Sequence, residues 1–502
     1  MIIRYIRFIM SDQNKNSAHR TNSASRTKQT MAALPDIKSS FAEWYHEVVF
    51  QAELADQAPV RGCIVIRPYG YALWEEIVKV LDKKIKDTGH QNAQFPLLIP
   101  ESFLKREAEH IEGFAPELAV VTHAGGKKLD EPLVVRPTSE TIIHYMFAQW
   151  IRSWRDLPLK INQWANVVRW EMRSRPFLRT TEFWWQEGHT AHETEQEALL
   201  EAQTMLLEYV DLAENYLAIP VVAGKKSESE KFAGADITMT FEGLMQDGKA
   251  LQMGTSHMIS QSFAHAFGMK YQDRNGGESY PYLTSWGATT RLIGALIMTH
   301  GDQKGLIMPP RIAPIQIIII PIYNKNMPNE EVEGAALQLK ATLDKHFRVK
   351  LDAETHTTPG AKFYTWELKG VPLRIEVGPR DIAQQVAVLT NRVTGVKQTV
   401  AWQDLEKVVE TTLTEIQTML FERARERRAS QWHKRAKLAE FADDLKNKGG
   451  FYQTGWCRSR ECEAKLKEYQ ATTRCIIEEK QFLTCFNCDL ESPSDVMVAK
   501  SY

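Results

Sequence analysis

The sequence predicts an α/β chain, α+β in its larger part, folded as more than one domain, and three observations carry that reading. NVVRWEM (Asn166–Met172) alternates apolar and polar side chains with period two, and LRTTEFWWQ (Leu178–Gln186) returns after the short loop SRPF. The two stretches therefore form an antiparallel hairpin. IQIIIIPI (Ile315–Ile322) is a continuous apolar run, as expected of a strand buried on both faces, and three prolines (Pro309, Pro310, Pro314) mark a boundary before it. Helical periodicity lies between and beyond these strands, and 502 residues are enough for roughly two to four domains.

Taken in chain order, residues 1–33 are Ser-, Asn- and Arg-rich and read as a disordered N-terminal extension, with Met31 an alternative start. The extension is acid-poor, so organellar targeting is compatible with it. Ser40–Glu53 and Tyr71–Lys86 have the spacing of amphipathic helices, the second stopped by Gly89. QFPLLIP (Gln94–Pro100) is a short extended segment. LVVRPTSET (Leu133–Thr141) runs from strand to turn, and ETIIHYMFAQWI continues as a helix. Thr194–Ala218 carries glutamates in its first turn and an apolar side of Leu199, Met205, Leu206 and Leu212, which predicts a surface helix lying on a sheet. A helix over Glu330–Phe347 and the strand VAVLT complete a compact unit to about residue 410. Val409, Leu413, Ile416 and Leu420 then open a long helix, whose continuation FERARERRASQWHKRAK reads as a solvated or phosphate-facing surface.

Composition excludes several classes of function. The 62 basic and 63 acidic residues leave a net charge of −1, so no global field draws in nucleic acid, although local patches still can. Apolar residues are 43% and charged residues 25%, an ordinary globular balance, and no apolar run is long enough for a membrane span.

Two arginines on one hairpin, Arg169 and Arg179, suit a polyphosphate, because a planar guanidinium pairs bidentately with phosphate oxygens. Trp184 and Trp185 point to opposite faces, and Trp184 is assigned to the core. His189 and His192 suggest a metal pair at first sight, but the HExxH spacing of a zinc hydrolase is absent. Cys457-x4-Cys462 and Cys485-x2-Cys488 have the spacing of a four-thiolate structural zinc site, with Cys475 left over as a free thiol.

The hairpin resembles the second of the three motifs of class II aminoacyl-tRNA synthetases. KDTGHQNAQFPLLIP (Lys86–Pro100) resembles the first, with Pro96 at the family's dimer interface, and SWGATTRLIGALIMTHGD (Ser285–Asp302) resembles the third, with Thr290 where many members carry glutamate. RPTSET, PFLRTTEFWWQEGHTAH, KFAGAD, GTSH and HGDQKGLIMPPRIAP together are similar to the prolyl-tRNA synthetase family, and WELKGVPLRIEVGPRD to its anticodon-binding domain. The resemblance implies an antiparallel-sheet catalytic domain (34–309), an α/β anticodon-binding domain (310–410) and a C-terminal helix with a zinc-binding domain (411–502).

It also implies a cytoplasmic, homodimeric ligase that joins proline to tRNA(Pro) using ATP and substrate-bound Mg²⁺. Arg169 and Arg291 are then the catalytic pair. Arg169, Glu171, Arg179, Thr180, Gln252, Thr255, Thr289 and Arg291 would hold ATP. Thr138, Glu140, Arg169, Trp185, Glu187, His189, Phe232 and His257 would hold proline. Lys362, Phe363, Glu367, Lys369 and Arg374 would read the anticodon, and Cys457, Cys462, Cys485 and Cys488 would bind Zn²⁺. Only about a hundred residues separate the second and third motifs, so the large editing insertion of some bacterial members is expected to be missing, as in the archaeal and eukaryotic-like form. The C-terminal Tyr502 is expected near the active site.

Overall fold

The computed structural model describes residues 33–104, 118–171, 173–324 and 327–502. The expected N-terminal extension lies outside them except for its last residue, as does Met172 of the alternating strand.

The chain opens with helix α1 (Phe41–Gln51), which buries Trp44, Tyr45, Val48 and Val49, and helix α2 (Pro68–Asp87), which buries Leu73, Trp74, Ile77, Leu81 and Ile85. Proline at the first helical position suits α2, since its missing N–H has no partner there in any case. The helix gives way to Gly89, whose φ of +90° few other residues adopt. Strand β1 (Gln91–Asn92) and helix α3 (Glu140–Trp150) follow.

The expected hairpin is β2 (Leu159–Val168) and β3 (Glu182–His192), paired antiparallel with Val168 opposite Glu182. Regular strand ends at Val168, earlier than the alternation suggests: Arg169 keeps one ladder bond, its N–H donating to the Thr181 carbonyl at 2.8 Å, and Trp170 beyond it is exposed. Helix α4 (Glu195–Asp211) begins at a capping box in which Thr194 and Glu197 satisfy each other's backbone N–H groups. It lies across the back of β3, β5 (Ile237–Leu244), β6 (Ala250–Ser260) and β7 (Tyr282–Thr289), and β4 (Val221–Lys225) pairs with β5. Space is tight on that face: a Cβ at Gly188 would stand 2.0 Å from the Trp286 ring, so only glycine fits opposite the tryptophan. Helix α5 (Arg291–His300) is buried along most of its length.

A second sheet follows. Its strands, β8 (Ile317–Pro321), β9 (Val349–Leu351), β10 (Leu373–Val377), β11 (Val386–Asn391) and β12 (Lys397–Ala401), lie in the order β9-β8-β10-β11-β12. β8 is parallel to both neighbours and wholly buried, as its apolar run requires. Helices α6 (Asn329–Leu343) and α7 (Pro359–Leu368) flank it. Helix α8 (Leu405–Ser430) spans the boundary expected at 410: Leu405, Val409, Leu413, Ile416 and Leu420 all pack into the core of this second sheet. Its charged continuation is solvated only in part. Arg427 donates to the Thr299 carbonyl (2.7 Å) and Arg428 to that of Val221 (2.6 Å), which fastens the helix to the first sheet.

The C-terminal segment is less separate than expected. β13 (Trp432–Lys434), β14 (Phe451–Trp456), β15 (Ala471–Ile477) and β16 (Ser494–Lys500) continue the first sheet. The result is eleven strands in the order β13-β14-β16-β15-β4-β5-β6-β7-β3-β2-β1. Pairing is antiparallel apart from the two end pairs, β13·β14 and β1·β2. Between His192 and Tyr282 the chain is occupied by α4, β4 to β6 and short connections, with no further domain.

Candidate active site and metal centre

Register decides which side chains meet. β3 places Trp185, Glu187 and His189 on the face opposite α4. Thr289, Gly287 and Ser285 of β7 lie directly across from them in the same order. On the next strands Thr255 pairs with Gly287, and His257 pairs with both Ser285 and Thr238. A cavity of about 580 Å³ stands on this face, within the range of ligand sites. Its walls include all fifteen residues expected to hold proline or ATP: Thr138, Glu140, Arg169, Glu171, Arg179, Thr180, Trp185, Glu187, His189, Phe232, Gln252, Thr255, His257, Thr289 and Arg291, Arg169 counting for both.

At one end the cavity is acidic and aromatic. Glu140 accepts from the Thr138 hydroxyl, and both residues are buried. Glu187 accepts from Ser139 and from Gln163 Nε2 (2.8 Å) on one oxygen and meets His189 Nε2 at 3.2 Å on the other. Phe232 lies 4.7 Å from His257, ring to ring. Burial, with His189 second, pushes the His257 imidazole down to about 3, so this ring is uncharged at physiological pH. Behind it the buried His144 stands edge-on to His189 at 5.7 Å.

At the other end the Arg169 and Arg291 guanidinium groups face the cavity without carboxylate partners of their own. Arg169 donates Nε to the Pro137 carbonyl (2.9 Å) and lies over Phe183 and Trp185. Crowding by protein lowers its pKa, against which Glu140 and Glu187 act. Arg291 donates to the carbonyls of Leu178 (3.2 Å) and Gln252 (3.1 Å), and burial together with Arg179 and Arg169 brings it down to about 10, so it keeps its charge. Arg179 is exposed at the mouth, 4.0 Å from Glu171.

One expectation is corrected here. Trp184, assigned to the core, is 38% exposed, whereas Trp185 is buried at 9% and lines the cavity, because the odd-numbered positions of β3 face it. His189 and His192 sit on opposite faces of β3, and His192 Nε2 meets Thr190 Oγ1 at 2.7 Å, so the two cannot share a metal. Sequence reasoning also missed cavity residues. Ser285 could have been found by counting two back from Gly287, whereas Lys226 and Glu230 gave no local signal.

The residues expected at the anticodon divide. Lys362 is 3% exposed, its ammonium on Asp352 (2.8 Å to the carbonyl, 3.1 Å to the carboxylate), so it is committed to the fold and cannot reach a base. Lys369 is likewise engaged by Glu53 of the segment following α1. Arg374 lies 3.9 Å over Phe363 and donates to Glu376, and Glu367 accepts from Lys304. Arg374, Glu367, Lys304, Lys397 and Trp366 line a depression of about 180 Å³.

Cys457, Cys462, Cys485 and Cys488 converge, their sulfurs all within 4.8 Å of one another. Four thiolates about 2.3 Å from a tetrahedral ion would stand roughly 3.8 Å apart, so the residues present fit such an ion with little movement. At Cys485 burial raises the thiol, but the N–H groups of Asn487 and Cys488 outweigh it and bring it down to about 7. Cys475 is buried apart from the cluster.

The comparisons with known proteins agree with this geometry. The family model described as tRNA synthetase class II core domain (G, H, P, S and T) matches residues 123–300. An anticodon binding domain matches 316–412, and the C-terminal domain of prolyl-tRNA synthetase matches 438–502. Proline–tRNA ligase 2 of Clostridioides difficile is 50% identical over 95% of this chain and 100% of its own length. The chain belongs to the prolyl-tRNA synthetase family. Another family member, the proline–tRNA ligase of Alkaliphilus oremlandii, is 50% identical over 95% of this chain and 99% of its own. Prolyl-tRNA synthetase from Cryptosporidium parvum, solved with halofuginone and AMPPNP, superposes with a TM-score of 0.90 at 42% identity, covering 94% of this chain and 100% of that one. The same enzyme with L-proline and AMP gives 0.88 at 40%. The synthetase is thus similar along its length to both bacterial and eukaryotic members, ATP-dependent class II ligases that charge tRNA with proline. No helix among its described residues is long and apolar enough to cross a membrane.

Proposed function

We propose that the cavity joins proline to ATP as prolyl adenylate and then passes the prolyl group to the terminal ribose of tRNA(Pro). The observation that carries this is the position of Arg169, between the Glu140/Glu187 end and the Arg291 end of one cavity. Making an adenylate brings a carboxylate against a polyanion, and a fixed guanidinium between them offsets the repulsion. Thr138 and Glu140 take the imino nitrogen of proline, and Trp185, Glu187, His189, Phe232 and His257 enclose its ring. Glu171, Arg179, Thr180, Gln252, Thr255, Thr289 and Arg291 take the nucleotide and its phosphates. Mg²⁺ bound to those phosphates supplies further charge neutralisation. No covalent intermediate with the protein is required.

Catalysis is assigned to 34–309, the anticodon to 310–410 and a C-terminal helix with the zinc domain to 411–502, with α8 running across the last boundary. The four cysteines would fill all four positions of a Zn²⁺ ion, and an ion so held would be structural. Leu97, Leu98 and Trp150, exposed beside the first motif, support a homodimer through that face. The protein acts in the cytoplasm. Proline-dependent exchange of pyrophosphate into ATP tests the reading; exchange with another amino acid and none with proline would overturn it.

A further inference from the structure

Outside the groups assigned above, one cavity residue stands in an unusual setting. Lys226 follows β4 and pairs with Thr238 by backbone, and its side chain runs along the cavity wall to Glu242, 3.0 Å away. Glu242 is fully buried, and its second partner comes from far along the chain. Arg474 on β15 donates Nε to Oε2 at 2.7 Å and Nη2 to Oε1 at 2.9 Å. This bidentate fork occupies both oxygens of the carboxylate and fixes its plane. The Glu242 carboxyl is held below its usual range: burial raises it, and Arg474 and Lys226 outweigh burial.

The residues next to both cations are clamped as well. Ser227 donates to Glu463 Oε1 at 2.6 Å, and Thr473 donates to the same oxygen. Lys226 therefore cannot swing away without disturbing a buried network. An ammonium has three donors. One lies on Glu242, and the other two have no protein acceptor among the described residues. A nearly buried cation held rigidly with donors to spare is the arrangement that binds an anion without reorganisation.

We infer that Lys226 holds a phosphate group of a substrate in the cavity, and that Arg474, reaching in from the C-terminal segment, is the positioning residue that aims it through Glu242. The inference rests on the reading of this cavity as the catalytic site. Phosphate can come from ATP or from the last phosphodiester of the tRNA.

Kinetics of Lys226→Met and Arg474→Lys separate the possibilities, since the second keeps a charge but loses the fork. If ATP is the source, Lys226→Met lowers pyrophosphate exchange about tenfold, with the KM for proline within about twofold. If the tRNA end is the source, exchange is kept and single-turnover transfer to tRNA falls by a similar factor. Arg474→Lys shows a smaller loss in the same step. The double variant costs little more than Lys226→Met alone, because the two residues act as one unit. Unchanged exchange and transfer in Lys226→Met overturn the proposal, and so do additive losses in the double variant. Arg169→Ala run alongside distinguishes the failures: if it too is fully active, the catalytic reading of the cavity fails; if it is inactive while Lys226→Met is normal, only this inference fails.

Discussion

The catalytic cavity and the face of the anticodon-binding domain are both rich in cations, yet they treat them in opposite ways. In the cavity, Arg169 and Arg291 donate to main-chain carbonyls, which orient a guanidinium while leaving its charge uncompensated. In the anticodon-binding domain, Lys362, Lys369 and Arg374 each lie on a carboxylate. In these two regions Arg169 and Arg291, held by carbonyls, keep their charge for a ligand, whereas Lys362, Lys369 and Arg374, held by carboxylates, stabilise the fold. Composition cannot tell these apart, because it does not record whether a cation's partner is a carboxylate or a main-chain carbonyl.

The contrast can be broken first at Arg169. Arg169→Ala should reduce proline-dependent pyrophosphate exchange by about a thousandfold with a normal melting curve, since no ion pair is lost; retained exchange would remove this arginine from the chemistry. Cys485→Ser should release the metal, so that elemental analysis falls from about one ion per chain and the melting temperature drops by several degrees; an unchanged metal content contradicts the assignment. Lys362→Ala should do the reverse of Arg169→Ala. It leaves Asp352 without its buried partner and costs about 3 kcal/mol of stability, while exchange stays normal; a melting temperature equal to the parent's would show that the pair contributes nothing.

A pH series sharpens the same contrast through groups that are buried and uncharged. Burial lowers His257 and His300 to about 3 and His192 to about 4. In the unfolded chain these imidazoles take up protons near pH 6.5, so the unfolded state binds more protons below that value. Stability should therefore be full above about pH 6.5 and decline on acidification towards pH 3 to 4, each histidine contributing up to about 1.4 kcal/mol per pH unit. Denaturant unfolding at pH 7 and pH 5 measures this, and equal midpoints would refute it. The smallest effect belongs to Glu367→Gln. Its partner Lys304 is 61% exposed, and the pair is worth roughly 0.5 kcal/mol, so a larger shift in the unfolding midpoint would show burial that the contact does not have.

What could be read from the sequence follows the same division. Period and run length were enough for β3, β8 and α8, because burial on one face or both leaves a local pattern. The cavity residues were legible because they cluster in short motifs on a few strands. Trp184 was misassigned because alternation shows that two neighbours face apart but not which face α4 covers. Arg427 and Arg428 looked like part of a solvated or phosphate-facing surface because their acceptors are carbonyls of α5 and β4, and main-chain acceptors leave no mark in the side-chain pattern. The joining of β15 to β4 left none either, since it depends on strands more than two hundred residues apart.

That junction has a consequence for any shortened form of the chain. β4 and β15 meet at Lys225 and Ile476, and a Cβ at Gly224 would stand 2.4 Å from the Ile476 carbonyl, so the two backbones are in close contact. Cutting the chain after α8 would strip this cover and leave β4 as a bare edge with unpaired amides, open to a strand from another molecule. During synthesis β4 emerges long before β15. Until that partner arrives, the growing polypeptide carries an adhesive rim, and the interval is when a chaperone would have most to shield.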